Sequence, residues 1–228
     1  MPGLRSCRVL LFLFLFGPLE ELSPMRPYEE AMSDLGSLLP LIWSNLEEAA
    51  SGARHGWHLP MIATGGTQPH VRTVVLRSAS TADRTLGCHT DVRSPKVTQL
   101  RVTPHACWCF YDKDNRVQLV ADGTASVHTD DDVAEAGWDR SSASSRRCYL
   151  APAAPGETLS EPKANLPDEW IGTVPPLDAT APGREHFAVV QTRVQRLDFL
   201  YLAHSGNLRA EFLFDGTGTL SEARWIAA

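Results

Sequence analysis

Arg72, Thr90, Ser94 and Lys96 are the residues of this chain whose types and spacing best suit chemistry. A guanidinium offers a planar fork of donors, an ammonium a compact point charge, and hydroxyls short adjustable donors. Ser94 is followed by Pro95, which suits the first position of a helix, so free backbone N–H groups should follow it. Cations, hydroxyls and a helix start within one stretch, Val71 to Lys96, form a set that can hold a phosphate-like anion. Taken singly, each residue also reads as ordinary surface: an exposed arginine, an exposed lysine and a serine capping its helix. Lysine is scarce, since the chain holds only Lys96, Lys113 and Lys163, so a lysine inside this stretch stands out.

The elements that position these residues follow from pattern. Leu35, Leu38, Leu39, Ile42, Trp43 and Leu46 recur at helical spacing behind Ser33 and Asp34, and predict a helix over residues 34–53. Leu59 to Thr64 and Val71 to Arg77 read as a hairpin with a longer loop at Gly65-Gly66, and Thr85 to Thr90 as a third strand. Asp91-Val92-Arg93 turns the chain into a short helix over Pro95 to Val102. Ala106 to Tyr111 and Arg116 to His128 are strands, with a bulge or bend expected at Asp122-Gly123. Asp130-Asp131-Asp132 places acid at the start of a further helix that ends near Trp138 or Arg140. A short helix is expected over Ser144 to Tyr149. Residues 151–183 carry seven prolines and read as a long excursion of the kind that serves as a lid or binding loop, with Trp170 either covering a ligand or pinning the loop. Glu185 to Leu202, Leu208 to Phe214 and Leu220 to Ile226 close the fold. This is mainly β, with seven to nine strands and no βαβ rhythm, and it predicts a closed antiparallel β-barrel with helical additions.

At 228 residues, 43% hydrophobic and 21% charged, the chain is an ordinary globular one, and its net charge of -6 argues against duplex nucleic acid. Five cysteines in a domain of this size imply no disulfide framework, and Cys107 and Cys109 lack a second pair, so no metal site is expected. Arg5 and Arg8 before the apolar run Val9 to Phe16 resemble a short signal peptide, but no small-x-small cleavage site follows, and Met25 and Met32 lie downstream. Residues 1–32 are read as an extension and residues 33–228 as a single domain. The location expected is cytoplasmic, or exported if residues 1–24 act as a signal.

The run Arg72 to Arg77, then His89 to Lys96, Thr103-Pro104, Arg116 to Gly123, Trp138, Ser145-Arg146-Arg147 and Pro155-Gly156, resembles the pyridoxamine 5'-phosphate oxidase-like family, in its oxidase-related, FMN-binding branch. The resemblance is good over residues 40–156 and weak in the C-terminal strands. It implies a split β-barrel and a homodimer with FMN at the interface. By position, Arg72, Thr73, Val74 and Arg77 would line the flavin and its phosphate. Thr90, Ser94 and Lys96 would hold the ribityl phosphate, Gln118 would approach the ring from the neighbouring subunit, and Arg209 would contact FMN. Family members commonly carry Ser-Arg-Lys where this chain has Ser94-Pro95-Lys96, and true pyridoxamine phosphate oxidases carry a substrate-gripping Arg-x-His where it has Ala203-His204 to Arg209. Arg140, Arg146, Arg147 and His204 are the candidates for an anionic substrate. The activity implied is FMN-dependent oxidation of a small substrate, phosphorylated ones included. The alternatives are a non-catalytic flavin carrier, sensor or scavenger, and a barrel using a deazaflavin or haem.

Overall fold

Asp34 starts the long N-terminal helix by accepting from the N–H groups of Gly36 at 3.1 Å and Ser37 at 2.9 Å, donors that a helix start leaves unpaired. The computed structural model describes residues 27–65 and 68–228, so the signal-like run and Gly66 lie outside the described residues. Helix α1 spans Pro27–Ala31 and α2 Leu35–Ser51, with Leu38, Leu39, Ile42, Trp43 and Leu46 on its buried face. Core packing begins ahead of residue 33: Tyr28 is 1% exposed, its ring 5.2 Å from Phe199 and 6.1 Å from Trp57.

The strands are β1 (Met61–Thr64), β2 (His70–Thr73), β3 (Ser78–Ser80), β4 (Thr85–Asp91), β5 (His105–Asp112), β6 (Val117–His128), β7 (Phe187–Tyr201), β8 (Leu208–Phe214) and β9 (Leu220–Ile226). They form one antiparallel sheet in the order β2-β1-β5-β6-β7-β4-β3, with β8 on β7 and β9 on β8. β7 organises it. One edge pairs with β6 throughout, while the other takes β4 over residues 187–193 and β8 over residues 196–201. Helices α3 (Pro95–Val102), α4 (Asp132–Asp139) and α5 (Ala143–Arg146) decorate the sheet. Among the described residues no helix is long and apolar enough to cross a membrane.

The expected closed barrel is corrected in one respect: the ladder does not close. Its two ends are β2 and β3: the strand expected over residues 71–77 ends at Thr73, and β3 starts at Ser78, just beyond it. Between them the N–H groups of Val74 and Leu76 donate to Pro60 and His58, and that of Arg77 to Gly87. The backbone is therefore handed from the β1 side to β4 within four residues, and no single register can run through. The sheet wraps a core that holds Trp43, Trp57, Trp108, Phe110, Phe199 and Phe212. The Trp108 indole N–H donates to Thr192 Oγ1 at 2.9 Å, which satisfies its one buried donor.

Candidate functional site

β4 ends at Asp91, whose carboxylate accepts from the Arg93 N–H at 2.8 Å while its carbonyl accepts from the Ser94 N–H at 3.0 Å. This tight turn delivers Ser94 and Pro95 to the start of α3. The Ser94 side chain makes no cap bond. It accepts instead from Lys96 Nζ at 2.9 Å, and Thr90 Oγ1 accepts from the same ammonium at 2.8 Å. Thr90, Ser94 and Lys96 are thus brought together as expected. Burial is the main reason that the Lys96 pKa lies below the usual lysine value. Lys96 and Thr90 line a cleft of about 480 Å³ together with Thr73, Val74 and Arg147. Asn165 and Leu166, from the proline-punctuated excursion, complete its wall. Trp170 lies elsewhere, in a separate cleft of about 370 Å³ between Tyr149 and Pro182.

The remaining expected residues divide. Arg72 is directed beneath the hairpin. Its guanidinium donates to Thr64 Oγ1 at 2.5 Å, to Gln99 Oε1 at 3.3 Å and to the Ile62 carbonyl at 3.4 Å, and it does not line the Lys96 cleft. Arg77 and Arg140 line a second cleft of about 860 Å³ with His89, Ser141 and Ser145. Arg146 is buried, donating twice to the Trp138 carbonyl, with its guanidinium 4.5 Å from the centre of that indole. Gln118 stands on the outer face of β6, between buried Val117 and Leu119. In register it lies opposite Leu200, which lies opposite Arg209, so Gln118 and Arg209 share that face. Arg209 forms a fork with Asp198 at 2.8 and 2.7 Å. His204 is exposed in the β7–β8 loop, apart from both clefts.

His89, quoted above only inside a motif, lines both clefts. Its Nδ1 lies 3.4 Å from Ser141 Oγ, and its ring meets Phe187 edge-on at 4.8 Å. Burial first, then the cations Arg77 and Arg140, push its pKa from 6.5 down to about 4. The unfolded chain therefore binds a proton that the folded chain refuses. The stabilisation by neutral His89 is complete above about pH 6.5 and is lost as the pH falls toward 4. Urea midpoints measured across that range should fall less steeply for His89→Gln than for the wild type.

A search of the curated proteins finds no match. Residues 41–129 match the family model described as pyridoxamine 5'-phosphate oxidase, FMN-binding domain. Among solved structures, a pyridoxamine 5'-phosphate oxidase-related, FMN-binding protein from Nostoc punctiforme is similar at a TM-score of 0.62 and 21% identity, over 83% of this chain and 96% of that one. PhzG from Burkholderia lata, solved with tetrahydrophenazine-1-carboxylic acid, is similar at a TM-score of 0.56 and 17% identity, over 93% and 100%. At these identities the two structures speak for the fold, which is the split barrel. Residues 41–129, which hold the motif series from Arg72 to Gly123, are thus similar to an FMN-binding domain of the pyridoxamine 5'-phosphate oxidase kind, and the sheet has the fold of the two solved structures.

Proposed function

We propose that the chain binds FMN in the Lys96 cleft and is an oxidoreductase acting on a small substrate, phosphorylated ones included. The observation that carries this reading is the Lys96 ammonium, half buried and, among the described residues, hydrogen-bonded only to the neutral hydroxyls of Thr90 and Ser94. Buried charges ordinarily meet a counter-charge, and a phosphate monoester supplies one. Thr73 and Val74 on the wall of the same cleft suit the flavin beyond the phosphate. Bound FMN would supply two-electron chemistry, accepting a hydride equivalent from a substrate carbon and passing electrons to an acceptor.

The protein's part is to bind, orient and exclude water. Thr90, Ser94 and Lys96 anchor the cofactor, and Arg77 with Arg140 lines the adjacent cleft where an anionic substrate would sit. Gln118 and Arg209 lie on the sheet's outer face, and reach a flavin when a second copy brings that face to the cleft, which supports a homodimer. We read the location as cytoplasmic.

One observation favours the second reading, a flavin-binding protein without turnover. Of the four substrate candidates, Arg146 is committed to Trp138 and His204 stands apart, so no substrate grip is gathered in one place. The purified protein should be yellow and release FMN on denaturation. Oxygen uptake with pyridoxamine or pyridoxine phosphate then separates the oxidase from the binder. A colourless protein that takes up no added FMN overturns both.

A further inference from the structure

Charge accounting around the Lys96 cleft singles out a second cation. Asp91 is the carboxylate on the cleft wall, and Arg93 already neutralises it at 2.6 Å. Arg147 is on the same wall. Among the described residues it meets no carboxylate: one terminal nitrogen donates to the Thr173 carbonyl, and its buried Nε–H has no partner. Lys96 likewise meets only hydroxyls. The other nearby cations are engaged or face elsewhere, Arg72 on Thr64 and Gln99, and Arg77 in the second cleft.

Two cations that line one cleft and, among the described residues, hydrogen-bond only to neutral oxygens leave much of the cost of their partial burial unrelieved. A dianion between them removes both penalties, whereas a monoanion leaves one charge over. An Nε–H beside a terminal N–H is also the edge of a guanidinium that forks onto two oxygens of one anion. We propose that Arg147 is the second cation of the phosphate site, so that Lys96 and Arg147 together select the dianionic phosphate monoester end of the flavin cofactor. The Thr173 carbonyl holds Arg147, so the proline-punctuated excursion helps to build the site as well as to wall it. This inference rests on the flavin reading above.

The test compares FMN with riboflavin, which lacks the phosphate, by quenching of flavin fluorescence on titration with the flavin-free protein. Inorganic phosphate serves as a competitor. The wild type should prefer FMN, and phosphate should weaken FMN but not riboflavin binding. Arg147→Gln should lose about ten- to hundredfold in FMN affinity with riboflavin affinity unchanged, and Arg147→Lys should recover part of the loss. FMN affinity within twofold of the wild type in Arg147→Gln overturns the role of Arg147 and leaves the flavin reading standing. A wild type that binds neither flavin overturns the flavin reading itself. Lys96→Met supplies a check that needs no change at Arg147. It should still prefer FMN to riboflavin through the remaining guanidinium, and equal affinity for the two flavins in that variant overturns the proposal.

Discussion

Replacing Lys96 with methionine should weaken FMN binding by about a hundredfold and leave the flavin-free fold as stable as before. The affinity loss follows from removing charge-assisted hydrogen bonds from a partly desolvated site, worth about 3 kcal/mol in total. The unchanged stability follows from the structure without ligand. There burial depresses the pKa of the ammonium, and among the described residues it hydrogen-bonds only to two hydroxyls, so it contributes little to folding. Methionine fills the same space without the desolvation cost, as hydrophobic replacements of buried charges often do. Thermal melts of the flavin-free protein and flavin titrations of the same preparation separate the two effects. A variant that melts much lower would make Lys96 structural, and one that binds FMN normally would place the phosphate elsewhere. Arg72 is a poorer probe, because its bonds to Thr64 and Gln99 tie the hairpin to α3. An alanine there should lower stability along with any binding.

Gly123→Ala should cost about 3 kcal/mol or more of stability. β6 pairs Asp122 with Arg196 but Gly123 with Val194, so Gln195 is an extra residue on β7 and the two backbones close up beside it. A Cβ at position 123 would lie 2.0 Å from the Arg193 carbonyl oxygen and 2.8 Å from its carbon. These are backbone atoms, so the central pair of strands must separate to admit a methyl group. Urea unfolding followed by circular dichroism measures the loss. Stability within about 1 kcal/mol of the wild type would mean that β6 and β7 can move apart at the bulge.

Gly123 also shows what kind of information the sequence carries. Asp122-Gly123 inside a long strand pattern marked a bend, and the register shift lies there, although the extra residue is on the partner strand. Local signals of this kind transferred well. Asp34 ahead of the Leu38, Ile42 and Leu46 stripe became a capped helix with that stripe buried. Asp131 accepts from the Ala134 N–H at 3.0 Å, so the aspartate run does contain a cap. Ser94-Pro95 begins α3. Alternation along β6 put Gln118 on the outer face, where a reading by resemblance needs it.

Less legible were choices between distant partners. Residues 71–77 have strand composition throughout, and nothing local says that the backbone changes neighbour between Leu76 and Arg77. The type of Arg72 suggested an anion, but its destination depends on Thr64 and Gln99, which only the folded hairpin and α3 bring together. Asn165 and Leu166 reach the cleft from about 70 residues beyond Lys96, through an excursion without periodicity. Arg147, read first as a candidate for substrate, shares the Lys96 cleft for the same reason.

The central claim is that the cleft between β4 and α3 holds the flavin phosphate. A crystal structure of the protein grown with FMN tests it most directly. The account predicts a phosphate oxygen within hydrogen-bond distance of Lys96 Nζ, at about 2.7–3.2 Å, with Thr90 and Ser94 beside it. FMN bound elsewhere with the Lys96 ammonium facing only water, or no FMN bound at saturating concentration, would contradict it.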